Sequence, residues 1–200
     1  MTFGRRRSCA PSLLAALLLA LATGTSLTGC VPLVVAGVGA GVMVATDRRS
    51  TGAQVDDESI ELKISKAASE DRWGKDVHLN ATSYNGIVLL TGEVPSTVVQ
   101  DEIVQFVKST DRVRMVENDT TIGAVTDFNS RSNDTYITSK VKARMVEAAK
   151  FAPNHVKVVT ERSVVYLMGI VSRQEGADAA EIAATTSGVA RVVKVFEYTN

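Results

Sequence analysis

Cysteine is almost missing from this chain: Cys9 and Cys30 are the only two among 200 residues. A disulfide-dense scaffold and a cysteine-based zinc site are both excluded. Histidine is as scarce. His78 and His155 stand alone, with no nearby cysteine or carboxylate at ligand spacing, so no metal and no other cofactor is expected. Neither sign of charge is in excess, because 22 Lys and Arg balance 22 Asp and Glu. Binding to nucleic acid needs a large positive surplus to displace counterions, so nucleic acid is not an expected partner. No Ser-His-Asp set, carboxylate pair or phosphate loop emerges. Without a nucleophile beside a base the chain reads as non-enzymatic, with no catalytic residue. No apolar run reaches the roughly 20 residues of a membrane-spanning helix.

What is present is a globular composition, 45% apolar and 22% charged, unevenly distributed. Arg5, Arg6 and Arg7 precede an apolar stretch at 13–22, and small and polar residues then lead to Leu27-Thr28-Gly29-Cys30. That order predicts a signal peptide over residues 1–29. Ser8-Cys9 after the arginines, in place of an apolar pair, favours the general secretion route over a twin-arginine one. Leu-Thr-Gly-Cys resembles a bacterial lipobox. The resemblance implies cleavage before Cys30, a diacylglycerol on its thiol and acylation of the new amino group. Several acyl chains give stable anchoring where one gives only reversible binding. Val31 rather than Asp in the second position implies the outer membrane. Residues 31–45 are apolar but rich in Gly and Ala and predict a tether near the membrane surface. Gly37, Gly39 and Gly41 lack the βαβ context and the Lys-Ser/Thr of a nucleotide loop. Residues 46–57 turn polar and read as a linker, so 30–56 is expected to be lipidated N-terminus and tether. Once 1–29 are removed, the net charge is −3.

Comparing the chain with itself reveals a repeat. A shift of 77 places Ile60, Lys63 and Ile64 on Ile137, Lys140 and Val141, and His78-Leu79 on His155-Val156. Val88, Leu90 and Gly92 land on Val165, Leu167 and Gly169; after one deletion Val113 and Val116 meet Val189 and Val192. Two modules follow, at 57–123 and 134–200, joined by a polar linker at 124–133. In each, a helix (57–69; 134–149) is predicted from apolar residues at helical spacing, with Asp56 or Asp57 and Asn133 or Asp134 as N-caps. Two strands follow, at 77–83 and 87–90 around Asn85-Gly86, and at 155–160 and 164–168. Pro95 suits the first turn of a second helix, and Ser172 with Glu175 forms a capping box in the other copy. Last strands are predicted at 113–118 and 190–198. The fold class is α/β: two tandem αββαβ modules, each with two helices packed on a small mixed three-stranded sheet.

That order, with Leu-x-Gly closing the second strand, resembles the BON domain. The whole processed chain is similar to the dual BON-domain outer-membrane lipoproteins of the DolP (YraP) type. The most specific matches are the segment from Thr46-Asp47-Arg48-Arg49 to Asp57, the segment from Ser132 to Val141, and Val164-Val-Tyr-Leu-Met-Gly169. The resemblance implies a periplasm-facing lipoprotein that supports envelope integrity and binds anionic phospholipid through its second module. It also implies association with division sites and with the outer-membrane protein assembly machinery.

The charges point the same way. Residues 57–123 carry 7 basic and 12 acidic groups, net −5; residues 134–200 carry 9 and 7, net +2. An anionic membrane attracts Lys and Arg by roughly 1 kcal/mol each, so it repels the first module and tolerates the second. The first helix of module two holds Lys140, Lys142, Arg144 and Lys150. At about 100° per residue, Ile137, Val141, Met145 and Ala148 form its buried stripe, with Tyr136 and Lys140 on the side away from it. An aromatic with a polar tip beside a cation suits the headgroup boundary. Tyr136, Lys140, Lys142 and Arg144 are therefore the candidate phospholipid contacts. Two other readings of the helix stand beside this one: Tyr136 packs on the neighbouring module and the lysines are a solvated face, or the helix binds a protein of the assembly machinery. The matching helix of module one has Ser59 for Tyr136 and a surplus of acid, so it is not expected to bind acidic lipid. Trp73 is expected to lid the first core.

Overall fold

The computed structural model describes residues 47–125 and 128–199. The expected signal peptide, Cys30 and the expected apolar tether lie outside the described residues. Module one runs α1 (Thr51–Ser69), β1 (His78–Tyr84), β2 (Ile87–Val94), α2 (Thr97–Lys108), β3 (Met115–Asn118) and a short β4 (Thr121–Ile122). Module two runs α3 (Phe128–Ala148), a 3-10 turn (Pro153–His155), β5 (Lys157–Glu161), β6 (Val164–Val171), α4 (Arg173–Ala184) and β7 (Arg191–Tyr198). In each sheet the first two strands are antiparallel and the third runs parallel to the second. The αββαβ order and the mixed sheets are as the sequence implies, except that β4, parallel to β2, makes the first sheet four-stranded where three strands were expected.

Several boundaries need correction. Both first helices begin about one and a half turns early, so α1 takes up part of the polar stretch read as a linker, and α3 starts within 124–133. Ser50 is the N-cap of α1, accepting from the Ala53 amide at 3.1 Å. Asp57 is no cap: it sits inside the helix at 2% exposure. Its carboxylate accepts from Ser83 Oγ at 2.6 Å and from the Asn85 and Gly86 amides at 2.7 and 2.8 Å. Asp134 is equally internal and accepts from the Arg162 and Ser163 amides, each at 2.8 Å. Each aspartate thus pins the hairpin beneath its helix. In module two the pinned turn is made without a glycine, with Arg162 and Ser163 at φ of 50° and 61°. Pro95 stands before Ser96, the true cap of α2, while the Ser172–Glu175 capping box forms as expected. His155 closes the 3-10 turn begun by Pro153 and does not start a strand.

The glycine after Leu-x has a steric cause. A Cβ on Gly92 would lie 2.1 Å from the His78 carbonyl oxygen, and one on Gly169 2.2 Å from that of His155. The neighbouring backbone passes too close for any side chain.

Each sheet packs its helices on one face. Val88 and Leu90 join Ile60, Ile64, Ile103 and Trp73 in the first core, where Trp73 lies edge-on to Phe106. Val165 and Leu167 join Ile137, Val141, Met145 and Ala179 in the second. Alternate residues of the same strands point the other way. Ile87, Leu89 and Tyr84 meet Tyr166, Met168 and Val195 in a third buried cluster, so the two sheets pack on each other and the helices lie outside. Burial of each such side chain contributes roughly 1.5–3 kcal/mol before entropy is counted. Polar pairs ring this interface. Asp119 accepts from Tyr166 Oη at 2.6 Å and from Arg191 at 3.0 Å. Glu197 accepts from Asn85 at 2.9 Å and Arg114 at 3.0 Å, and Lys157 reaches Glu61 at 2.9 Å. The segment before α1 crosses onto module two, where Arg48 makes a bidentate pair with Glu175 at 2.7 and 2.9 Å. Arg49 pairs with Asp57 at 3.0 Å and lies 4.2 Å above the Tyr84 ring.

Candidate functional site

The outward face of α3 follows from its inward one. Ile137, Val141 and Met145 are fixed in the core, which turns Tyr136 to solvent at 63% exposure. Lys140, one turn on, holds its ammonium 4.5 Å from the Tyr136 ring centroid, a cation–π distance. The same ammonium donates to the Ser187 carbonyl in the loop after α4. Tyr136 and Lys140 therefore come together as one amphipathic feature. Arg144 does not join them. Its guanidinium donates to the Ile182 carbonyl at 3.1 Å and Thr186 Oγ1 at 2.8 Å, closing the C-terminal end of α4, where the helix dipole favours a cation. Lys142 is exposed and makes no ion pair among the described residues, but it lies about 120° around the helix from Tyr136.

Sequence reasoning missed Val146. It is 61% exposed and continues a stripe with Tyr136 and the exposed Ala143 at spacings of seven and three. Those spacings, read against the core register, are the signal that could have found it. Glu147, eleven residues on from Tyr136, lies on the same face, about 20° around the helix. Three other cations of module two are committed elsewhere: Lys150 to Asp178 at 2.8 Å, and Lys157 and Arg191 to acids of module one.

In module one, Leu62 and Val55 are exposed on α1, among Asp56, Glu58 and Glu61. Lys63 and Lys66 lean towards Asp111 and Glu70 at 3.9 and 3.8 Å. This face is acidic and has no aromatic counterpart to Tyr136.

A second cluster lies between the modules. His78 Nδ1 is 3.0 Å from a Glu93 carboxylate oxygen. Glu161 of module two brings a further ligand atom within 4.8 Å of both. Glu93 and Glu161 are 1% and 7% exposed. Burial pushes the Glu161 carboxyl up, against a hydrogen bond from Asn80 at 2.8 Å that holds it down.

Comparison with known proteins places this architecture. The family model described as BON domain matches residues 56–124 and again 133–200. The chain is 39% identical over 173 residues to the Outer membrane lipoprotein DolP of Haemophilus influenzae, covering 86% of this chain and 90% of that one. It is 32% identical to the 21 kDa hemolysin of Actinobacillus pleuropneumoniae, over 76% of this chain and 79% of that protein. It is 30% identical to the Osmotically-inducible protein Y of Escherichia coli, over 76% of this chain and 78% of its relative.

Proposed function

The chain belongs to the dual BON-domain outer-membrane lipoproteins of the DolP type, and from that membership we propose that its second module docks on anionic phospholipid through the outward face of α3. On this reading the protein is a non-catalytic envelope component, anchored through Cys30 and facing the periplasm, that supports outer-membrane integrity. The observation that carries the reading is the pairing of a 63% exposed Tyr136 with the Lys140 ammonium 4.5 Å from its ring. The aromatic body offers apolar area to the acyl boundary, and its hydroxyl and the lysine meet the headgroups. Val146 extends the apolar contact and Lys142 adds charge at the flank. Arg144 acts indirectly, by holding the α4 end and the Ser187 loop against α3.

The acidic face of α1 opposes binding by the first module, which fits the charge difference between the two halves. The experiment is a titration with phosphatidylglycerol micelles followed by residue-resolved NMR. Shifts at Tyr136, Lys140 and Val146 should exceed those anywhere on α1. Equal or larger shifts on α1 would overturn the lipid assignment and leave α3 as a surface for a protein of the assembly machinery.

A further inference from the structure

The sheet-to-sheet interface is pseudo-symmetric, since each module offers the same strands to the other. The 77-residue shift relates Tyr84 to Glu161 and Glu93 to Ile170. At one end of the interface Tyr84 and Ile170 belong to the shared apolar cluster. At the equivalent end Glu161 meets Glu93, and His78 joins them. A contact that one end makes with apolar side chains is made at the other from two carboxylates and an imidazole. The module fold does not require this, because its other copy does without it. Two buried carboxylates held this close repel each other and lose solvation.

We infer that His78, Glu93 and Glu161 form a binding site for a divalent transition cation of the zinc class, shared between the two modules. One imidazole nitrogen and two carboxylate oxygens, with water in the fourth position, is a donor set that suits such a cation. Calcium and magnesium take six or more oxygen ligands or keep several waters, and fit it poorly. Metal–ligand bonds of about 2.0–2.2 Å in a tetrahedron place ligand atoms roughly 3.3 Å apart. His78 and Glu93 stand at 3.0 Å, and the three ligand atoms lie within 4.8 Å of one another, so closure takes side-chain rotation and not backbone movement. A cavity of about 220 Å³ lined by His78, Asn80, Thr138, Thr160 and Glu161 opens onto the set, with Arg131 and Asp134 on its wall, and supplies room for water. Asn80 donates to Glu161 at 2.8 Å and orients it as an outer-shell partner. Because the ligands come from both modules, the cation rivets one sheet to the other.

The test uses the processed lipoprotein in non-ionic detergent, stripped with EDTA and titrated with zinc chloride by calorimetry. One zinc per chain should bind saturably and raise the thermal unfolding midpoint. His78→Gln, at a half-buried position, should weaken binding by at least the roughly tenfold that loss of even an outer-shell partner costs, while His155→Gln leaves it unchanged. No saturable binding, or full binding by H78Q, overturns the inference. The unaltered protein gives a readout free of any folding defect: zinc should shift the ring nitrogen resonances of His78 and not those of His155. A shift at His155 alone, or at neither ring, counts against the site.

Discussion

Replacing Asp57 with alanine removes one carboxylate and takes an acceptor from four groups at once, of which Arg49 keeps a second carboxylate, Asp47, at 2.9 Å. The Asn85 and Gly86 amides, the Ser83 hydroxyl and the Arg49 guanidinium all bond to it, at 2.6 to 3.0 Å. Loss of the three bonds from Ser83, Asn85 and Gly86 to a charged acceptor, partly recovered as the turn relaxes, should cost about 3–5 kcal/mol. Asp134→Ala exposes less, because its carboxylate accepts from two backbone amides of the Arg162–Ser163 turn. Hydrogen bonds to a charged group are worth about 1.5–3 kcal/mol each, and some of that is recovered when the turn relaxes, so about 2–3 kcal/mol is expected. Equilibrium urea unfolding of the processed protein, with the midpoint multiplied by the slope, reads both values. Were the two aspartates helix caps, each substitution would cost about 1 kcal/mol, and equally. A loss near 1 kcal/mol for D57A, or one as large for D134A as for D57A, refutes the hairpin-pinning role.

Three further outcomes are expected. Gly92→Ala and Gly169→Ala each force a Cβ onto a histidine carbonyl about 2 Å away and should destabilise by about 1–3 kcal/mol or more, read by the same unfolding assay. Lys140→Glu reverses a charge worth roughly 1 kcal/mol near an anionic surface, so affinity for phosphatidylglycerol vesicles at low salt should fall about 30-fold in a sedimentation assay; unchanged sedimentation contradicts the docking face. Arg48 holds the Glu175 carboxyl down to about 2 from its ordinary 4.5. Its stabilising contribution is complete above the unfolded value and is lost as pH falls from about 4.5 towards 2, so Arg48→Ala should flatten the acid limb of the stability profile in that window.

The repeat and the cores were legible because apolar side chains carry period: Ile137, Val141 and Met145 mark a helix face wherever they occur. Asn85-Gly86 and the Ser172 capping box are local chemistry and were readable for the same reason. The early helix starts were not, since 51–56 and 128–133 are mostly polar and continue no apolar pattern. Asp57 and Asp134 have the identity of caps, but their partners are hairpin amides nearly thirty residues away. The packing of sheet on sheet did leave a trace. Ile87-Val-Leu-Leu90 and Val164-Val-Tyr-Leu-Met168 do not alternate, as strands buried on both faces do not. The His78, Glu93 and Glu161 cluster left none, because spacings of 15 and 68 residues mean nothing until the two modules meet. Likewise, Arg144 looked like a free cation until α4 was seen to end against it.

Phosphatidylglycerol micelles carrying a spin-labelled lipid test the central claim most directly, through paramagnetic broadening of the protein's amide signals. Broadening should centre on Tyr136, Lys140, Ala143 and Val146 and spare the exposed face of α1. Broadening centred on Val55 and Leu62, or spread evenly over both modules, would contradict it.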